Sequence, residues 1–130
     1  MTKSSAELSR EDALFVLNGL PRVGPVMLRR LLDRFADDPV SVLQASPSQL
    51  VRVKGVGEKA VSSIRSWRDG DWLVRERRRI AEHGARFISL EHEDFPRALL
   101  ETFDPPIGLY CRGNPPKQPC VAIVGTRRPT

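Results

Sequence analysis

The chain has 130 residues, enough for one ordinary domain or two small ones. Its 40% hydrophobic content lies far above that of a disordered chain, and no run nears the roughly 18–20 apolar residues that a membrane-spanning helix needs. Lys and Arg total 21 against 16 acids, and the resulting +5 divides into +3 over residues 1–70 and +2 over residues 71–130, a diffuse surplus that permits a polyanion partner without demanding one.

Residues 1–10 are polar and predicted to be disordered, and they contain no apolar stretch of the kind that drives secretion. With only two cysteines and nothing that suggests export, the expected compartment is the cytoplasm, with both thiols reduced. Ser9 before Glu11 and Asp12 marks a helix start, since a hydroxyl cap and first-turn acids answer the open N–H groups and positive end of a helix. Ala13, Leu14, Leu17 and Leu20 keep helical spacing up to Pro21. Pro25 opens a second helix carrying Val26, Met27, Leu28, Leu31, Leu32 and Phe35. Asp38-Pro39 and Ser46-Pro47 open two short ones, and a last helix holds Ala60, Val61, Ile64 and Trp67 before Asp69-Gly70. Residues 11–70 therefore read as a small all-α domain of about five helices joined by Gly/Pro turns.

The pattern then changes. Trp72 to His83 reads as one helix with Arg75, Arg77, Arg78 and Arg79 on a solvated side, and Gly84 supplies its left-handed end. Ala85 to Leu90 reads as a strand, Phe95 to Leu100 as a short helix, and Ile107 to Cys111 as a second strand. Val121 to Val124 reads as a third, of the fully buried parallel type. Residues 71–130 are thus expected to begin an α/β domain, with Trp67 and Trp72 packing the two regions together. Because the succession stops just past the third strand, the chain is expected to be the front part of a larger protein, with order fading after about residue 104.

Two segments carry candidate binding chemistry. Val53-Lys54-Gly55-Val56-Gly57-Glu58-Lys59 sets two glycines around one apolar residue between two helices, a turn that brings backbone N–H groups and a helix N-terminus close to a phosphate. Lys54 and Lys59 flank it, and the arrangement resembles a helix-hairpin-helix (SAM-like) element. An earlier turn, Leu20-Pro21-Arg22-Val23-Gly24, lies 33 residues before it as a degenerate partner, with Arg22 where the first glycine would be. The second segment is Gly125-Thr126-Arg127-Arg128-Pro129-Thr130, where Gly125 turns the chain, Thr126 offers a hydroxyl and Arg127 a planar fork for phosphate oxygens. It lacks the second glycine of a dinucleotide fingerprint.

His83, His92, Cys111 and Cys120 match no short-spaced zinc pattern, so neither a metal nor a cofactor is expected. No Ser/His/Asp set, paired acidic motif or P-loop lysine is visible, and Glu91, Glu93 and Asp94 read as a solvated loop.

Taken in order, the helical hairpins, Asp94-Phe-Pro-Arg-Ala-Leu-Leu100, Asp104-Pro-Pro-Ile-Gly-Leu-Tyr110, Arg112-Gly-Asn114 and Val121-Ala-Ile-Val-Gly-Thr-Arg127 resemble a known family. From about residue 11 onward the chain resembles the N-terminal portion of the DNA-processing protein A family (DprA, also called Smf), most specifically over residues 94–130. The resemblance implies a non-catalytic cytosolic bacterial protein that binds single-stranded DNA and passes it to the recombinase RecA in natural transformation. It implies a helix-hairpin-helix domain followed by a Rossmann-like domain, incomplete here, that dimerises in the complete protein. The family's Gly-Ser/Thr-Arg turn falls on Gly125, Thr126 and Arg127, with Thr130 at its later hydroxyl position. The expected DNA contacts are therefore Gly125, Thr126, Arg127, Arg128 and Thr130, joined by Lys54, Gly55, Gly57 and Lys59. Two other readings stand beside it: a helical docking module that never touches DNA, and a nucleotide-binding Rossmann-like enzyme.

Overall fold

In a computed structural model, residues 7–128 are described; residues 1–6, 129 and 130 lie outside the described part. The disorder expected of the first ten residues falls mostly on that undescribed stretch. Ser9 caps the first helix, α1 (Arg10–Gly19), its Oγ accepting from the Asp12 N–H at 3.1 Å. Pro25 is the first residue of α2 (Pro25–Arg34), and Pro39 opens α3 (Pro39–Gln44) under an Asp38 cap. In α4 (Pro47–Leu50) Ser46 and Gln49 form a reciprocal capping box, and α5 (Glu58–Ser66) starts after Gly57. The caps legible in the sequence are the caps used.

These helices surround α1. Ala13, Leu14, Phe15, Val16 and Leu17 are all buried, five in a row, where an ordinary surface helix buries one stripe. The reason is that α1 packs on α3 on one side and on both strands of the sheet on another. Spacing alone singled out Ala13, Leu14 and Leu17; Phe15 and Val16 belong to the face turned toward the second half of the chain.

That half contributes α6 (Trp72–Glu82), β1 (Ala85–Ser89), α7 (Arg97–Leu100) and β2 (Gly108–Arg112). Gly84 ends α6 with φ 62, the left-handed conformation for which its lack of a Cβ suits it. β1 and β2 pair antiparallel, Phe87 opposite Tyr110 and Ser89 opposite Gly108. Gly108 has a packing reason: a Cβ there would overlap the Phe87 ring.

Phe15 is the centre of an aromatic seam, with ring centroids 5.6 Å from Trp72, 5.0 Å from Phe87 and 6.1 Å from Tyr110. Trp72 therefore packs against the helical region, and Ile107 joins the same buried cluster as Leu14, Leu31 and Ile64. Two ion pairs and a hydrogen bond reinforce the contact between the halves. Arg10 Nε donates to Glu91 Oε2 at 2.9 Å, Arg77 pairs with Asp12, and Ser89 Oγ donates to Glu11 Oε2 at 2.9 Å.

The fold is helix-rich with a two-stranded antiparallel sheet, consistent with helices followed by the start of an α/β arrangement. Other expectations are corrected. Val121 to Val124, read as a buried parallel strand, forms no strand here, while its exposure (Val121, Ile123 and Val124 are each more than 90% exposed) accords with the expected fading of order. No strand among the described residues pairs with this segment, and a strand without a ladder partner has nothing to satisfy its backbone groups but water. Order also reaches further than residue 104, since Ile107 is buried and β2 is paired. Finally, the acidic loop is engaged rather than merely solvated: Arg86 Nη2 donates to Asp94 Oδ2 at 2.7 Å, and Arg86 and Arg10 hold the Asp94 and Glu91 carboxyls below their ordinary range. No helix among the described residues is long and apolar enough to cross a membrane.

Candidate nucleic-acid interface

The turn from Val53 to Gly57 is built from the inside out. Val53 and Val56 are buried and pin it to the core, which leaves Lys54, Gly55, Gly57 and Lys59 exposed around them. Gly55 takes φ 88, a conformation that lets the chain double back between α4 and α5. Gly57 provides no side-chain cap, and the first N–H groups of α5 find no acceptor among the described residues. The turn thus shows open donors and two exposed cations flanking them, which suits a phosphate oxygen chemically.

The earlier turn repeats this conformation at an offset of 33 residues. Arg22 stands at φ 62 where Gly55 stands at φ 88, and Gly24 caps α2 in the same extended conformation as Gly57 caps α5. Buried residues correspond in the same register: Leu17 with Leu50, Val23 with Val56, and Leu31 with Ile64. So do hydrogen bonds, for Leu28 N–H donates to the Gly24 carbonyl at 2.9 Å and Val61 N–H to the Gly57 carbonyl at 3.0 Å.

The correspondence extends to how the turns are held. Arg30 Nη1 donates to the Lys54 carbonyl at 3.1 Å, and Ser63 Oγ donates to the Pro21 carbonyl at 2.7 Å. Arg30 and Ser63 are themselves 33 residues apart, as are Pro21 and Lys54. Each turn is therefore braced by the helix that follows the other. Arg30 and Ser63 escaped the sequence reading, although aligning the two turns at that offset would have brought them opposite one another.

The Gly125 turn is placed differently. Residues 121–128 are exposed throughout, and the Thr126 hydroxyl donates to the Arg128 carbonyl at 2.9 Å, closing a small local loop. Arg127 and Arg128 have no acid partner among the described residues. Thr130 lies outside the described residues. No hydrogen bond or ion pair among those residues joins this turn to the Lys54 turn.

The basic run on α6 is largely engaged. Arg75 pairs with Asp71 at 3.2 Å, Arg78 with Glu82 at 2.8 Å, and Arg77 with Asp12, while Arg79 has no acid partner among the described residues. Tyr110 lies beside it, its hydroxyl donating to Glu76 Oε1 at 3.3 Å; burial and the Glu76 charge push the phenol up to about 12.

Residues 86–130 match the family model of DNA recombination-mediator protein A. This is the DprA family that the motifs from Asp94 to Arg127 resemble, and the matched stretch holds most of β1, all of α7 and β2, and the Gly125 turn. Both helical turns fall outside it. No curated protein and no solved structure matches the chain.

Proposed function

We propose that this chain is a DNA-binding protein of recombination that takes up single-stranded DNA in the cytoplasm and passes it to RecA. The observation that carries this reading is the recombination-mediator family match over residues 86–130, a stretch that includes the exposed turn from Gly125 to Arg128. In it Arg127 and Arg128 contact phosphate oxygens through their guanidinium forks, with the backbone turned at Gly125 and the Thr126 hydroxyl beside them, and Thr130, outside the described residues, is assigned to the same contact set. The braced turn of Lys54, Gly55, Gly57 and Lys59 supplies a second backbone contact in the manner of a helix-hairpin-helix element, from a domain over residues 11–70 that precedes a Rossmann-like one. The work is binding and release rather than bond chemistry, and the complete protein acts as a homodimer.

Fluorescence anisotropy against a labelled oligo-dT strand across a salt series tests the assignment. Each phosphate contact adds about 0.7 to the slope of log affinity against log salt for a single strand. Arg127→Ala is expected to weaken binding and lower the slope by about 0.7; replacing Lys54 and Lys59 together by Ala lowers it by about 1.4. Unaltered affinity in both variants would remove these residues from the interface.

A further inference from the structure

A groove of about 310 Å³ runs between α6 and the sheet, lined by Glu76, Arg79, Ile80, His83, Ala85 and Tyr110. Tyr110 is its aromatic wall and is 46% exposed, although it belongs to the aromatic seam. Phe15 and Phe87 meet its ring at a tilt, 75° and 64°, rather than in parallel stacks, and the ring also lines the open groove. The hydroxyl is anchored on Glu76, which fixes the ring's orientation from α6. Arg79 lines the same groove, and Arg112, two residues beyond Tyr110 on β2, shares its sheet face and stands opposite Ala85. Neither arginine has an acid partner among the described residues.

A half-exposed aromatic ring with unpaired guanidinium groups in the same groove and on the same sheet face is the chemistry of single-strand binding. The ring receives the face of a base, and the cations receive the phosphates on either side. From this we infer that Tyr110 is a stacking platform for one unpaired nucleobase, with Arg79 and Arg112 holding the adjoining phosphates. Paired bases are already stacked within a duplex, so the platform selects single strands. The inference rests on the DNA-binding reading above and adds a base contact to what is otherwise a backbone interface.

The test compares two labelled strands of equal length and charge, oligo-dT and its abasic counterpart, against the full chain by anisotropy. A stacked base is worth about 1 kcal/mol or more, so oligo-dT should bind at least about fivefold tighter. Tyr110→Leu should erase that difference, and Tyr110→Phe, which keeps the ring, should retain it. Equal binding of both strands to the unaltered chain overturns the platform and leaves the backbone reading standing. Binding of neither strand overturns both. A base preference that survives in a folded Tyr110→Leu variant also overturns the assignment, and the two-strand comparison on the unaltered chain stands whether or not that variant folds.

Discussion

Arg22 occupies a backbone position that its side chain disfavours. With φ at 62 its Cβ crowds the following carbonyl, at a cost of about 1–2 kcal/mol, whereas Gly55 holds the equivalent place at φ 88 without that crowding. Arg22→Gly should therefore stabilise the fold by up to about 1 kcal/mol, the gain being trimmed by the freer unfolded chain that glycine allows. Gly55→Ala should do the reverse, because it adds the same strain and sets a Cβ 3.0 Å from Arg30 Nη1. Urea midpoints of the two variants check both signs. The sequence reading recognised Gly55 as a turn residue but left the conformation of the Arg22 turn open. Residue preference reports what is locally cheap, while the Ser63 bond to Pro21 and the burial of Val23 determine what is adopted. Ala36 and Asp37, also left-handed at φ 53 and 61, were illegible for the same reason: the bond from Asp37 N–H to the Leu32 carbonyl closes α2 without a glycine.

Helix starts were legible because a cap is a local event. Ser9, Asp38 and Ser46 each bond a backbone N–H within three residues of themselves. The direction of strand pairing was not legible, because alternation says that a strand exists and nothing about which neighbour it meets. Nor were the reciprocal braces, since each spans more than twenty residues of chain. Ser63→Ala should cost about 0.5–1.5 kcal/mol, the usual net worth of one hydrogen bond. Arg30→Ala removes the equivalent bond at the other turn and should cost a similar amount. Because the two braces share no partner, the double variant should lose the sum of the two, to within about 0.5 kcal/mol. A double-mutant cycle by chemical denaturation measures it, and a large coupling energy would mean that the turns move as one unit.

At the scale of the molecule, the aromatic seam joins the helical region to the strand pair through α1, so both should resist local opening together. Amides of β1 and β2 should be protected from hydrogen exchange alongside those of α1, while the amides from Val121 to Arg128 should exchange close to the rate of an unstructured peptide. Strong protection at Val121 to Val124 would contradict the exposed arrangement described above. In the sequence the chain divides into a helical half and a strand-bearing half, with Trp67 and Trp72 packing between them, and both tryptophans do pack against the core. The sequence does not show that Phe15 is the hub, because in the helical pattern Phe15 lies off the stripe marked by Leu14 and Leu17. Of the candidate interface, the residue types in both turns are legible in the sequence, whereas the reciprocal braces and the exposure of Tyr110 depend on tertiary placement.

The exposed run from Val121 to Val124 has a colloidal consequence. A short stretch of β-branched residues with no charge and no ladder partner is the kind of segment that seeds intermolecular sheet growth. Here it is bracketed by gatekeepers: Pro119 on one side, and Gly125, Arg127 and Arg128 on the other. Proline denies a docking strand its hydrogen bonds, and the paired arginines repel a second copy that approaches in register. The basic residues proposed to meet DNA would thus also keep the chain in solution when no DNA is present, and a mutation that neutralised both would be felt first as turbidity.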